Sequence, residues 1–324
     1  MYNTPYHSTD LSQLSFLITG GAGFIGSNLV EYLLKYGAKK VRVLDNLATG
    51  FELNIEQFKS NTSFEFLLGD IRDLETCKKA VEGMDYVSHQ AALGSVPRSI
   101  DDPITNNDVN INGFLNILCA VKDNSGVKRL VYAASSSTYG DNADLPKTED
   151  KIGRPLSPYA VTKYVNELYA DVFATTYGTE SIGLRYFNVF GPKQSPQGAY
   201  AAVIPLFVDA VKNNNPAKIN GDGEQTRDFT FIENVVQANM KAMFVEDATA
   251  LNQVYNIAYS ESVTLNALWQ LMNEIEAKDI QPEYQPYRLG DIKDSLADIS
   301  KARRYLSYEP LFDLKKGLVN TLTS

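Results

Sequence analysis

The stretch Phe16-Leu17-Ile18-Thr19-Gly20-Gly21-Ala22-Gly23-Phe24-Ile25-Gly26 constrains this chain more than any other. Its first residues read as a short buried strand, a glycine turn follows, and the apolar run beyond opens a helix. Gly20, Gly23 and Gly26 recur at intervals of three. The first permits a tight turn, the second lets a pyrophosphate come close to the backbone, and the third lets the helix lie against the strand. The free N–H groups and positive end of that helix then face the phosphates. A second apolar run, Val41-Arg42-Val43-Leu44, ends in Asp45. An acid there can accept from ribose hydroxyls and would repel a 2′-phosphate, which favours NAD over NADP. A strand-end Asp can also simply cap a loop, and both readings stand at this point.

Downstream, strands alternate with helices. Residues 64–68, 86–89, 129–133 and 181–186 read as strands, and 24–36, 73–81, 108–121 and 157–177 as helices. The alternation predicts an α/β fold: a doubly wound parallel sheet of the NAD-binding Rossmann kind, with helices on both faces. The texture changes after Phe187. A Gly/Pro/Gln loop covers 192–200, helices are expected at 201–212, 233–244, 265–277 and 300–305, and 218–220 is a short strand. This divides the chain into a NAD-binding domain, 1–187, and a smaller mixed substrate domain, 188–324, with segments around 229–258 returning to the first. Residues 1–14 read as a loose lead-in.

Composition narrows the function. With 44% hydrophobic and 21% charged residues, the 324-residue chain has the makeup of an ordinary globular protein. A net charge of −9 argues against nucleic acid as a partner but leaves room for a locally basic site. The first residues lack the pattern of a secretory signal, and no run approaches the roughly 20 apolar residues that span a bilayer, so a cytoplasmic protein without a membrane partner is expected. Cys77 and Cys119 show no metal-ligand spacing, and no metal is expected. His7 and His89, the two histidines, have no evident Ser/Asp partner for a hydrolase.

The chemistry centres on Tyr159-Ala160-Val161-Thr162-Lys163. Four residues apart on a helix, the phenol and the ammonium share a face. A phenol is a poor base at neutral pH because its pKa is about 10. A nearby lysine charge and an oxidised nicotinamide would favour the phenolate and lower that value. It could then take a proton from a sugar hydroxyl as hydride leaves the same carbon. The third partner is a hydroxyl at the end of the strand that begins at Arg129, within Ser135-Ser136-Ser137-Thr138.

With those residues in view, the chain resembles the extended short-chain dehydrogenases/reductases, and within them bacterial UDP-N-acetylglucosamine 4-epimerases of the UDP-galactose 4-epimerase superfamily. The motifs TGGAGFIG, HQAALGSVPRS, AASSSTYG, SPYAVTK, LRYFNVFGP, RDFTFIENV and LADISKA carry the likeness, over about 15–315. It implies Tyr159 as the base and Ser135 as the catalytic hydroxyl, with Ser136 one register away and still open. Lys163 would hold the nicotinamide ribose. Gly20, Gly23, Phe24 and Ile25 would meet the pyrophosphate, and Asp45, Asn46 and Gly50 the adenosine ribose. Asp70 and Ile71 would meet the adenine, and Gln90, Ala91, Ala92 and Tyr186 would lie beside the cofactor.

On the substrate side it implies Asn188, Arg227 and Arg288 at the diphosphate, where the planar guanidinium suits phosphate oxygens. Tyr200, Ala201 and Val203 would lie along the uridine and Asp291 on its ribose. Ser95, in a loop after the 86–89 strand, and Ser295 would face the sugar.

Sugar dehydratases and decarboxylases of the superfamily place an acid directly after the hydroxyl residue. Here Ser136 and Ser137 stand there, leaving oxidation at C4 with hydride return through a transient 4-keto sugar. Ser295 leaves room for an N-acetyl group where galactose-specific relatives carry tyrosine. The expectation is therefore a UDP-GlcNAc/UDP-GalNAc 4-epimerase supplying surface polysaccharide precursors, as a homodimer through helices 108–121 and 157–177. UDP-glucuronate, UDP-N-acetylhexosaminuronate and UDP-glucose 4-epimerases, and a non-catalytic NAD-sensing protein, remain alternatives.

Overall fold

Seven parallel strands form the centre: β1 (Ser15–Thr19), β2 (Lys40–Asp45), β3 (Phe64–Leu68), β4 (Tyr86–His89), β5 (Arg129–Ser135), β6 (Ser181–Tyr186) and β7 (Gln253–Ile257). The computed structural model describes residues 1–197, 201–287 and 293–323. The spatial order is β3-β2-β1-β4-β5-β6-β7, every neighbouring pair parallel. The order reverses between β1 and β4, the switch point at which ligands bind in such sheets.

β1 and β6 are buried at every position, as strands covered on both faces must be. Successive residues of β1 still face opposite ways. Phe16 and Ile18 join Leu29, Val30 and Val235 in one core, while Leu17 joins Leu44, Cys77, Phe114 and Phe173 in the other. Helices Phe24–Lys35 and Ile232–Phe244 thus cover one face, and Leu74–Val81, Gly113–Lys122 and Pro158–Tyr177 the other. Their starts are written locally. Asp73 accepts from the N–H groups of Glu75 and Thr76, and Ser157 from that of Ala160, with Pro158 next in line.

The chain leaves the sheet after β6, returns as helix Ile232–Phe244 and β7, and leaves again. Outside the sheet, Ser262–Thr264 pairs antiparallel with Thr226–Asp228, and Glu283–Gln285 parallel with Lys218–Asn220. Val203–Lys212, Leu265–Ile275, Ser300–Leu306 and Leu314–Leu322 are helices. Among the described residues no helix is long and apolar enough to cross a membrane, and no cluster of three or more His, Cys, Asp or Glu could hold a metal.

The structure departs from the sequence reading in several places. The lead-in is not loose: Tyr2, Tyr6, Leu11 and Leu14 are buried. Tyr2 N and Tyr6 Oη donate to Glu233 Oε1 at 2.8 and 2.6 Å, and Tyr2 Oη donates to Asn28 Oδ1 at 2.7 Å. The Tyr6 ring stacks on Tyr32 at 5.5 Å. Scattered tyrosines among polar residues show no period, so no element was visible there. The expected loop after β4 contains two short helices, Val96–Asp101 and Pro103–Asn107, each opening at a capping Ser95 or Asp102 followed by proline within its first turn. The expected helix 108–121 begins as a π turn, Asp108–Asn112, before Gly113–Lys122. Helix Val203–Lys212 begins two residues later than expected, leaving Ala201 outside it. Helix Leu314–Leu322 was not expected.

Candidate active site

A cleft of about 490 Å³ opens at the carboxyl ends of β1, β2, β4, β5 and β6. Gly20, Gly23, Phe24, Ile25, Asp45, Asn46, Gly50, Asp70, Ile71, Gln90, Ala91, Ala92, Ser135, Tyr159, Lys163, Tyr186 and Asn188 all line it. Ser136 does not; it lies in the turn Ser136–Tyr139. Among the described substrate-side residues, Ser95, Ala201, Val203, Arg227 and Ser295 also lie off the cleft wall. Ser95 Oγ accepts from Arg98 N, Arg227 donates to the Thr226 and Lys293 carbonyls, and the Ser295 carbonyl accepts from Ser262 Oγ. Asn188 Nδ2 donates to the Asp228 carbonyl at 3.1 Å. Tyr200, Arg288 and Asp291 lie outside the described residues.

The glycine turn is held by sterics and by one carboxylate. Gly20 has φ +69°, and a Cβ there would sit 2.6 Å from Ala91 N. A Cβ on Gly26 would collide with the Gly20 carbonyl. Asp45 accepts from Ala22 N at 2.9 Å and from Leu47 N at 2.8 Å. It therefore caps the loop and braces the glycine turn while lining the cleft. Burial raises its pKa against the pull of those N–H groups. Helix Phe24–Lys35 starts at Gly23 without a side-chain cap, so its first N–H groups remain available to an anion. Asn46 donates to Asp70 at 2.8 Å, and Arg72 holds the Asp70 carboxyl down at about 2.

At the other end, Lys163, 2% exposed, donates to the Ala133 carbonyl at 2.7 Å and stands 6.0 Å from the centre of the Tyr159 ring. Burial brings its pKa down to about 8. Ser135 Oγ accepts from Ser137 N and Ser137 Oγ at 3.2 and 2.9 Å and hydrogen-bonds the Tyr159 hydroxyl. In the protein alone burial raises the Tyr159 pKa, and the Ser135 hydrogen bond only partly offsets this. A further cation beside the ring is needed to make the phenol a base.

Two buried asparagines that the sequence reading passed over hold this wall. Asn110 Oδ1 accepts from Leu93 N at 2.8 Å, and its Nδ2 donates to Thr162 Oγ1 at 3.1 Å, tying the loop after β4 to the Tyr159 helix. Asn239 touches Tyr186 and Gln90. Neither sits in a motif, and isolated asparagines on helices carry no signal.

The fold and cleft define a dinucleotide-dependent enzyme acting on a hydroxyl-bearing substrate, and comparison with known proteins agrees. Residues 16–258 match the NAD dependent epimerase/dehydratase family. A putative UDP-glucose 4-epimerase of Methanocaldococcus jannaschii is 36% identical over 304 residues, covering 93% of this chain and 95% of that one. A UDP-glucuronate 4-epimerase of Thermodesulfobacterium geofontis is 34% identical, covering 95% and 94%. The solved UDP-N-acetylglucosamine 4-epimerase of Methanobrevibacter ruminantium superposes with a TM-score of 0.90 at 37% identity, covering 96% and 98%. This chain belongs to the NAD-dependent epimerase/dehydratase family, among the extended short-chain dehydrogenases/reductases. Within it, the chain is a sugar-nucleotide 4-epimerase that uses NAD.

The residues present suit that cofactor. The uncapped helix start receives a pyrophosphate, and the bare Gly20 turn, which no side chain could fill, lets it approach.

Proposed function

We propose that this protein interconverts UDP-N-acetylglucosamine and UDP-N-acetylgalactosamine at C4, supplying precursors of a surface polysaccharide. NAD bound along the glycine turn supplies a hydride acceptor that gives back what it takes, so no net redox change results. Tyr159 Oη receives the proton of the sugar O4, with Ser135 Oγ holding that oxygen and Ser137 fixing Ser135. The Lys163 ammonium favours the phenolate and holds the cofactor ribose. The 4-keto sugar turns in the cleft so that C4 takes the hydride back on its other face, and Tyr159 returns the proton to O4.

The observation that carries the reaction type is the hydroxyl pair Ser135–Ser137 beside Tyr159, with no carboxyl group on that turn. An elimination at C6 would need an acid there. In this reading Asn188, Arg227 and Arg288 bind the diphosphate, and Tyr200, Ala201, Val203 and Asp291 the uridine. Ser95 and Ser295 face the sugar, where the small Ser295 leaves space for the N-acetyl group. The homodimer belongs to the same reading. Val161, Leu168 and Val172 form an apolar stripe on helix Pro158–Tyr177, with exposures of 46, 49 and 51%.

The test is turnover of purified protein on a panel of UDP-sugars, with products resolved by chromatography. UDP-N-acetylglucosamine is expected to have a kcat/KM at least about tenfold above UDP-glucose, the scale on which one pocket group discriminates. Preference for UDP-glucose or UDP-glucuronate overturns the sugar assignment.

A further inference from the structure

Among the described residues two phenols reach the cleft, Tyr159 and Tyr186, yet the reaction needs one proton carrier. The groups behind them separate their roles. Asn239, fully buried on helix Ile232–Phe244, donates through Nδ2 to Tyr186 Oη at 2.9 Å and to the Val235 carbonyl at 2.8 Å. A carbonyl can only accept, so the amide end facing Val235 is the nitrogen. That same nitrogen meets Tyr186. The Tyr186 hydroxyl therefore spends a lone pair on Asn239 and points its own hydrogen at Gln90 Oε1, 3.3 Å away. Gln90 Nε2 in turn donates to Ser88 Oγ at 2.9 Å and Asn239 Oδ1 at 3.3 Å. Each polar atom of the Gln90 and Asn239 side chains is thus engaged within the group.

We propose that Asn239 is a positioning residue of the cofactor cleft: it fixes the hydrogen-bonding sense of Tyr186 and Gln90, so that the Tyr186 hydrogen is held by Gln90 Oε1 and proton transfer is left to Tyr159. Burial pushes the Tyr186 hydroxyl up to about 12, against the pull of its Asn239 and Gln90 contacts, so the phenol stays protonated. The arrangement gives helix Ile232–Phe244 a task beyond covering the sheet, since it carries into the core the amide that orients two cleft residues. The proposal rests on the cleft holding NAD and is independent of which sugar is turned over.

The test is a double-mutant cycle read as NAD affinity by calorimetric titration, with melting temperature followed alongside. The variants are Asn239→Leu, Tyr186→Phe and the pair. Asn239→Leu is expected to weaken NAD binding severalfold in the parent and far less in the Tyr186→Phe background, because the lost contact acts through that hydroxyl. Equal losses in both backgrounds, or unchanged NAD affinity with Asn239→Leu, overturn the proposal. If Asn239→Leu does not fold, Asn239→Asp, which keeps the volume but removes the donor, takes its place in the cycle with the same expected and overturning results. Failure of the parent itself to bind NAD would instead sink the reading of the cleft.

Discussion

At the scale of single residues, the sharpest demand falls on Tyr159. Tyr159→Phe removes the proton acceptor and leaves the ring in place. Turnover is expected to fall by about 10²–10⁴-fold, while calorimetric titration still detects NAD binding. A loss below tenfold would mean that another group carries the proton. His89 makes a different prediction. It is buried against Phe114, its Nδ1 pairs with Thr19 Oγ1 at 2.8 Å, and burial drives its pKa to about 3. The unfolded chain binds that proton near pH 6.5 and the folded chain does not. The stability from a neutral His89 is therefore complete above about pH 6.5 and drains as pH falls towards 3. His89→Gln is expected to flatten the fall in melting temperature across that window, whatever it does at pH 8. An unchanged slope would show that other groups govern acid unfolding.

At the scale of elements, residues 1–14 are the feature most at odds with their appearance. They fasten helix Phe24–Lys35 to helix Ile232–Phe244 through Tyr2, Tyr6 and Glu233. Tyr2→Ala removes a fully buried ring and is expected to cost about 3 kcal/mol in chemical denaturation, as large-to-small core changes do. It should also make the segment more susceptible to limited proteolysis than it is in the parent. This element also shows what could be read beforehand. The alternation of strands and helices, the glycine turn and the Tyr159–Lys163 pair were legible because each rests on a fixed period or on contiguous residues. Asn110, Asn239 and the N-terminal tyrosines were not, because their partners lie on other elements and their own neighbours carry no pattern. β7 carries no signal of its own for a related reason: Gln253–Ile257 pairs only with β6, about seventy residues earlier.

At the scale of the whole molecule, the proposed homodimer would cover the exposed stripe on helix Pro158–Tyr177. Ile100 and Ile104, 59 and 81% exposed, are further apolar side chains on the same side of the sheet. Light scattering at micromolar concentration is expected to give twice the 35.9 kDa chain mass. Leu168→Glu is expected to return it to the chain mass, since a charge at the centre of an apolar contact costs several kcal/mol. A monomeric parent would contradict the dimer.

The path of the chain has one more consequence. It passes between the sheet and the smaller elements after β6, before helix Ile232–Phe244 and after β7. Two bodies stitched at several seams do not swing apart on a single hinge. In the proposed cycle, the ketone would then be retained by the architecture rather than by tight grip, the guest turning while the host stays shut.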